Sequence, residues 1–504
     1  MSIDTGLAIA NSGLAAMSQQ FALISQNIAN ARTPSYASES AALTSVSAGG
    51  LGSGVASAPA TLNINPAIQN ALVQSIGASA YQGTIAGAMS GIDQVMGTPG
   101  QGNDLSSLTA AMQSSFTTLL NDPSNNAQQN TVISAAQSLT GQINVIATSI
   151  GAARQTAQTQ ITSSLTTLNQ SLNQIGALNK QIIALNQQGL SSADLQNQRT
   201  GLIQTVAQLT GAKAITASNG TIALYTGQGL QLPTNGASFT TSPATLGPSA
   251  AYPGTIPPIT LNGQDVTGGL GGGSIGAAIA LRDQILPGQQ ASLDSFSQSL
   301  ASRFSAQGLT LFSDPTGAIP PQSAPPQSAM VGFANAITVN PAIITNPALV
   351  RDGTNAVAGS ASGASAFTPN PVGGPAGFST LIDRVINFAL GSQAQTGVPQ
   401  TPAATSGLGP SGTITLSFTG NASLGDLATN VVTNEAATSA AAQTSSTQAG
   451  QTQSALQTQA TQTSGVSIDQ QMGRLVSLQN AYAANAKVVG IAQQMLQTME
   501  AMIQ

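Results

Sequence analysis

Apolar side chains recur at alternating intervals of three and four residues near both ends of the chain. This spacing places them on a narrow stripe of a helix, the seam along which helices pack in coiled coils. We call the two stripes together the terminal seam and predict that both chain ends pack against other helices. The terminal seam comprises Leu7, Leu14, Met17, Phe21, Ile24 and Ile28 at one end, and Leu475, Leu478, Tyr482, Asn485, Val489, Leu496, Met499 and Ile503 at the other.

One seam position is polar. An asparagine buried in a coiled coil lowers stability but fixes helix register and partner number, which makes Asn485 a candidate register-setting contact. An amphipathic helix in an ordinary core produces a similar apolar stripe. Because chain ends are commonly disordered unless a partner holds them, two stripes at the two termini favour assembly over this alternative.

Between the ends, the pattern predicts a mainly α-helical protein with a β-rich region inserted in the middle. We expect an elongated, multidomain rod whose terminal helices pair at one end, with a helical bundle next and a looped, β-containing outer domain. The predicted segments are an N-terminal heptad helix (1–40), a flexible or extended connector (41–62), a helical bundle (63–210), a small β-rich segment (211–270), a helix returning to the bundle (271–311), a looped outer insertion (312–423), a return helix (424–465) and a C-terminal heptad helix (466–504).

Composition strengthens the prediction of self-association. Charged residues make up 5% of the 504 residues and aromatic residues 3%, whereas hydrophobic residues reach 41%. The surface must therefore be covered mainly by neutral Gln, Ser, Thr, Asn and Gly. Such a surface offers weak charge repulsion, which favours association between copies.

Charge and residue content also exclude several functions. A net charge of −5 with scattered basic residues provides no patch for nucleic acid or an anionic membrane. The chain has no Cys and no His, so we expect no thiolate metal site, no histidine base and no cofactor. No apolar run approaches about 18 uninterrupted residues, and the N-terminus lacks a basic region and contains Asp4, so neither a membrane span nor a cleaved signal peptide is expected.

Two short motifs suggest catalysis or nucleotide binding, and neither is sufficient. Residues 272–276 match the G-x-S-x-G serine nucleophile pattern, but the chain has no histidine to activate the serine. Residues 271–276 match G-x-G-x-x-G, but the residues before them do not form a buried-strand pattern. We therefore expect a glycine-rich loop that leads into a helix. We do not expect the protein to be an enzyme.

The few charged residues have simple structural interpretations. Asp93, Asp104, Asp122 and Asp194 lie at predicted helix starts or turns, where a carboxylate caps backbone N–H groups. The arginines at positions 199 and 282 are isolated charges on predicted helices. We expect each of them to form a salt bridge or to lie on a solvated face.

Several stretches resemble a known family. The residues Asn27, Asn30, Pro34 and Tyr36, placed directly after a heptad stripe, resemble the N-terminal signature of bacterial flagellar axial proteins, and 481–489 resembles their C-terminal signature. Further stretches resemble the hook-associated protein 1 family in order and spacing, namely 119–124, 175–182, 194–199, 281–287 and 464–469. The chain departs from the family at Ser35, where glycine is usual, at Asn197 and Thr200, where acidic residues are usual, and over most of 317–423.

The resemblance implies a structural protein at the junction between the flagellar hook and filament. It implies export through the flagellar type III apparatus to the extracellular flagellum, with the terminal helices paired in the inner tube of a helical homo-oligomer. The implied partners are the hook protein, the next hook-associated protein and an export chaperone, with no nucleic acid or membrane. The alternatives are another axial protein, such as the hook protein or hook-associated protein 3, or a secreted low-complexity surface protein or adhesin.

Overall fold

Long helices open and close the chain. The computed structural model describes residues 3–48, 51–98, 100–217, 219–417 and 420–503. In chain order the helices are α1 (Ile3–Ala29), α2 (Pro66–Met96), α3 (Leu105–Asn121), α4 (Asn126–Gln187), α5 (Ala193–Thr210), α6 (Gly273–Ala280), α7 (Leu286–Ala306), α8 (Phe333–Ala336), α9 (Pro341–Thr345), α10 (Leu349–Asp352), α11 (Thr380–Arg384), α12 (Leu424–Ser464) and α13 (Ile468–Ile503).

The strands are short and pair only as antiparallel ribbons or three-stranded sheets. They are β1 (Glu39–Ser40), β2 (Leu43–Ala48), β3 (Leu51–Ser57), β4 (Thr61–Leu62), β5 (Lys213–Thr216), β6 (Ile222–Tyr225), β7 (Gln231–Leu232), β8 (Phe239–Thr240), β9 (Thr260–Leu261), β10 (Gln264–Asp265), β11 (Phe312–Ser313), β12 (Thr338–Val339), β13 (Gln393–Gln395) and β14 (Val398–Pro399). The prediction of a mainly α-helical chain with β-rich material in the middle is confirmed.

The helix α4 is longer than the pattern indicates. The sequence shows one apolar stripe up to residue 150 and another from residue 161, but the structure has a single helix of 62 residues. The interval contains no proline, and its inward positions are occupied by Arg154, Ala157 and Gln158, all of them buried. The polar members of this interval interrupt the apolar period without interrupting the helix.

The region 312–423 packs on the bundle and shares its core. Phe333 and Ile337 pack with Ile143 and Leu293 in the same hydrophobic cluster as the bundle helices. Asn144 of α4 donates hydrogen bonds to the carbonyl oxygens of Ala334 and Ile337. This region therefore contributes buried side chains to the main core while carrying much of the looped surface.

The glycine-rich motif forms a close helix contact. A Cβ atom on Gly273, whose φ is +59°, would lie 2.5 Å from the backbone carbon of Leu209, and a Cβ on Gly276 would lie 2.3 Å from the carbonyl carbon of Gly271. Neither distance is physically tolerable. Gly273 therefore lets α6 begin against the end of α5, and Gly276 lets the loop at Leu270 and Gly271 pack closely on the first turn of α6. The motif thus has a packing role in the structure.

The predicted connector at 41–62 is extended but paired. Strands β2 and β3 form an antiparallel hairpin with an irregularity after Val46, and β1 pairs with β4. The hairpin packs on α1, where the hydroxyl of Ser12 accepts a hydrogen bond from the backbone N–H of Val55 at 3.0 Å. This pairing ties the segment to the N-terminal helix.

The carboxylates agree only partly with the predicted capping role. Asp104 caps α3, and although burial opposes the shift, hydrogen bonds from Ser106 and Ser107 lower the pKa of Asp104 to about 2. Asp122 follows the end of α3, and Asp194 lies in the first turn of α5. Asp93 lies in the last turn of α2, so the prediction of a helix start is wrong there.

Neither Arg199 nor Arg282 lies on a solvated face, because both are buried. The salt-bridge alternative is confirmed for Arg282, whereas Arg199 forms no ion pair with the described residues. Arg199 is 4% exposed and donates hydrogen bonds to Asn179 Oδ1 and to the carbonyl oxygen of Gly220. Arg282 is 0% exposed and does form a salt bridge, with 2.7 Å between its Nη2 atom and Asp283 Oδ2. The chain therefore places scarce charges in its interior, where they bind loop carbonyls and polar side chains.

Candidate assembly interface

The terminal helices α1 and α13 pack against each other and run antiparallel. Gly13 lies beside Asn485, and further along α1 the ring of Phe21 meets that of Tyr482 edge-on, with centroids 6.3 Å apart. The structure thus brings the two halves of the terminal seam together within one subunit. The assembly role of these residues stays a prediction.

The predicted seam residues differ in how far this pairing buries them. Ile24 is buried, and Tyr482 and Met499 are exposed, at 43% and 50%. The side chain of Ile503 lies outside the described residues. The remaining seam residues are half-buried, namely Leu7, Leu14, Met17, Phe21, Ile28, Leu475, Leu478, Asn485, Val489 and Leu496.

Asn485 lies within the pair of helices from one subunit. Its Nδ2 atom is 3.9 Å from Met17 Sδ, a weak contact, and 2.8 Å from the position that a Cβ on Gly13 would take. A glycine at position 13 therefore makes the space that the Asn485 side chain fills. Asn485 therefore packs against α1 at this point, and its register-setting role stays a prediction.

Large apolar side chains remain uncovered on α13 beside the seam. Val488, Ile491, Met495, Met499 and Met502 are 50–81% exposed, and their intervals of three and four residues place them on one helix face. We call these five residues the outer stripe. Met499, which the sequence placed in the terminal seam, is counted in the outer stripe from here on, because the α1–α13 pairing leaves it 50% exposed. Contiguous exposed apolar surface commonly marks a site of protein association.

An open cleft lies where α1 and α13 meet the first strands. Its volume is about 840 Å³, and its lining includes Leu23, Leu43, Arg474 and Leu478. The cleft continues from the α1–α13 contact onto the β2–β3 hairpin, on which Leu43 and Val46 are 51% and 43% exposed. It therefore extends the apolar surface beyond the helix pair.

The axial signature forms a hydrogen-bonded turn after α1. The side chain of Asn27 is 1% exposed, and its Nδ2 donates to the carbonyl oxygen of Glu39 at 2.8 Å. Asn27 Oδ1 accepts from the backbone N–H of Glu39 at 2.9 Å and from the Tyr36 hydroxyl at 3.1 Å. One buried amide therefore closes the loop between α1 and β1.

The other signature residues shape the turn without entering this network. Asn30 Nδ2 donates to the carbonyl oxygen of Gln26, and Asn30 Oδ1 accepts from the Thr33 hydroxyl. Pro34 is exposed and precedes Ser35, whose φ of 63° lies in the left-handed region. A residue with a Cβ is strained there, which explains why a glycine would suit this position.

Replacing Ser35 with glycine is expected to stabilise the protein by about 0.5–1 kcal/mol. The gain comes from relief of left-handed strain, reduced by the greater freedom of glycine in the unfolded chain. Thermal unfolding of the two proteins measures it. The matched variant Ser40→Gly, in strand β1, should instead lower stability, and a loss for both variants would contradict the argument.

The turn is anchored to the body by residues that sequence reasoning did not select. Asn197 of α5 holds both backbone polar groups of Ala37, and its Nδ2 also donates to Glu39 Oε1 at 3.0 Å. The backbone N–H of Ser38 donates to the carbonyl oxygen of Ser464, at the end of α12. Burial, and then the charge of Asp194, raises the pKa of Glu39 to about 7. In the sequence, Asn197 stands out only because the family usually has an acidic residue there, and this gave no indication of its contacts with the turn.

Helix α1 is long and apolar enough to cross a membrane by length and composition, with a mean hydropathy of 1.2 over its most apolar window. The sequence-based expectation of no such span did not anticipate this, because it considered only uninterrupted apolar runs.

Within the described ranges, no group of three or more acidic side chains is placed to hold a metal ion.

Two parts of the chain match family models. Residues 89–318 match the Flagellar hook-associated protein FlgK helical domain, and residues 457–502 match the Flagellar basal body rod FlgEFG protein C-terminal family. No curated protein matches the chain. Among solved structures, the flagellar hook junction protein FlgK from Burkholderia pseudomallei is similar, with 23% sequence identity and a TM-score of 0.40. That match covers 50% of this chain and 45% of the other, less than two thirds of its length.

Proposed function

We propose that this chain forms the junction between the hook and the filament of the bacterial flagellum. The proposal starts from the match of residues 89–318 to the helical-domain family of the flagellar hook-associated protein FlgK, and of residues 457–502 to the C-terminal family of the rod FlgEFG proteins. It acts as a structural protein and catalyses no reaction. Its subunits assemble into a helical tube through their terminal helices.

The observation that carries this proposal is the outer stripe on α13. Its residues are largely solvent-exposed in a single subunit, although full burial of one such side chain stabilises by about 1.5–3 kcal/mol. A second copy that covers the stripe would gain this energy repeatedly along the helix. The scarcity of charged residues leaves little electrostatic repulsion to oppose that contact.

We assign the terminal seam and the outer stripe separate roles. The seam holds α1 and α13 of one subunit together, with Gly13 and Asn485 fixing their register. The outer stripe and the neighbouring cleft then contact adjacent subunits. The proposed segments are those predicted from the sequence, with 1–40 and 466–504 forming the tube.

The proposed location is the extracellular flagellum, reached by type III export. The proposed neighbours are the hook protein on one side and the next hook-associated protein on the other, with a chaperone bound before export. The chaperone would cover the outer stripe before export, since unassembled apolar surface favours aggregation.

Electron microscopy of cells that lack this protein tests the proposal. Hooks should be present without filaments, and filament protein should accumulate in the medium. Restoring the gene should restore filaments. Cells that lack the protein and still carry normal filaments would contradict the assigned function.

Another axial protein is the remaining alternative within the same class. The rod-type match at 457–502 would suit a hook protein equally well, whereas the helical-domain match at 89–318 favours a hook-associated protein. Immunolabelling of intact flagella separates the two, because a hook protein would label the whole hook and a junction protein only its distal end.

A further inference from the structure

Helix α12 carries a carboxyl group in its packed face. Glu435 is 0% exposed and continues the buried stripe of Ala428, Val431 and Val432. Neither of its carboxyl oxygens has a hydrogen-bond donor among the described residues. A buried, unpaired carboxylate is costly, so this side chain requires an explanation.

The group that faces Glu435 is a second carboxyl. Helices α2 and α12 pack antiparallel, as the approach of Gly83 to the Ser446 hydroxyl shows. Asp93 lies ten residues further along α2 than Gly83, and Glu435 lies eleven residues back along α12 from Ser446. The two carboxyls are therefore at the same level of the helix pair, and the charge of Asp93 acts on Glu435. Asp93 itself is exposed at the edge of the helix pair.

The described helices around Glu435 provide no compensating cation. Helix α12 packs on α2, α3 and α7. The titratable groups of these helices, besides Glu435, are Tyr81 and Asp93 on α2, Asp426 on α12, and Asp294 and Arg303 on α7, whereas α3 has none. Arg303 donates to the carbonyl oxygens of Gly420 and Ala422, and Asp294 accepts from the backbone of Gly332 and Ala334. Only Asp93 faces Glu435.

Two carboxylates cannot hydrogen-bond to each other, because both only accept. One proton removes the problem, since a protonated carboxyl can donate to an ionised neighbour. Burial, followed by the charge and the hydrogen bond of Asp93, raises the pKa of Glu435 from 4.5 to about 8. A carboxyl whose folded-state pKa is raised contributes stability that is complete below its unfolded value and is lost as pH rises through the folded value.

We propose that Glu435 and Asp93 share one proton and form a clasp between α2 and α12, which loosens when the proton leaves. The clasp lies on the two helices that connect the body to the terminal segments. It is independent of the proposed place of the protein in the flagellum.

Hydrogen–deuterium exchange on the full-length protein between pH 6 and pH 9 tests the clasp, after correction for intrinsic exchange rates. Protection of peptides from α2 and α12 around these residues should fall across this range, while peptides from the centre of α4 serve as an internal reference. In Glu435→Gln the amide donates permanently to Asp93, so protection should stay constant. Asp93→Asn, at an exposed position, removes the facing charge but leaves Glu435 buried, so the pH-dependent fall should become smaller without disappearing.

The control is Asp426→Asn, which removes an exposed carboxylate from the same helix and should preserve the wild-type pH dependence. The same fall in Glu435→Gln as in the wild type would overturn the proposal. An increase in wild-type protection with calcium chloride at pH 8, absent in Glu435→Gln, would also overturn it, because a bound cation would then replace the proton.

Discussion

Cells that produce the Leu496→Asp variant are expected to build hooks but no filaments, and to release the variant into the medium. Leu496 is half-buried in the terminal seam, where α13 packs against α1. Full burial of a leucine side chain stabilises by about 1.5–3 kcal/mol, so the substitution at this half-buried position removes part of that energy and places a carboxylate without a partner in the helix contact. Every subunit of the proposed tube would carry this loss, so we expect no assembled tube and not merely a less stable one.

The matched control is Gln494→Asp, which adds the same charge at an exposed position on the same helix. Electron microscopy should show filaments for this variant. Circular dichroism of the two purified variants should show a folded body in both cases. Normal filaments on Leu496→Asp cells would refute the role of the seam, and an unfolded body would show that the defect is not one of assembly.

Replacing Arg282 with methionine is expected to destabilise the body by about 3–5 kcal/mol, the range for removal of one partner of a buried ion pair. The guanidinium binds both oxygens of Asp283 and donates to Gln158 Oε1 at 2.8 Å. Its carbon atom also lies 5.7 Å from the centroid of the Tyr252 ring. Methionine has similar bulk but leaves Asp283 and Gln158 without these donors. Chemical denaturation monitored by circular dichroism measures the change.

The double variant Arg282→Met/Asp283→Asn separates the loss of the ion pair from the cost of the carboxylate left without a partner. Removing both charges should recover part of the lost stability, because the uncompensated carboxylate is then gone. Arg282→Lys should fall between the wild type and methionine, since lysine keeps the charge but cannot bind two oxygens in parallel. A loss below about 1 kcal/mol for Arg282→Met would mean that the network adds no more than an exposed ion pair does.

The terminal helices and the outline of the bundle could be predicted because they depend on local periodicity. A seam with spacing of three and four residues needs no knowledge of the partner, and α1 and α13 follow it closely. The stripe of exposed residues was not predicted. Val488, Ile491 and Met495 fall between the seam positions, and sequence alone does not show which of two neighbouring apolar faces the subunit covers itself.

The buried polar groups could not be predicted, because they depend on contacts distant in sequence. Asn27 and Asn197 hold the same turn although they are 170 residues apart, and Arg154 binds the carbonyl oxygen of Arg282 from a different helix. On a single helix, such residues resemble solvated positions. Because the chain has few charged residues, a solvated or ion-paired position was the natural interpretation of Arg199 and Arg282. The structure instead buries both side chains.

The continuity of α4 has a geometric consequence. At 1.5 Å per residue, its 62 residues extend over about 93 Å. A single hydrogen-bonded element of this length acts as a ruler, since its ends cannot approach each other without breaking the helix. If the subunits are arranged around the flagellar axis as proposed, the residue count of one helix limits how compact the collar of subunits can become.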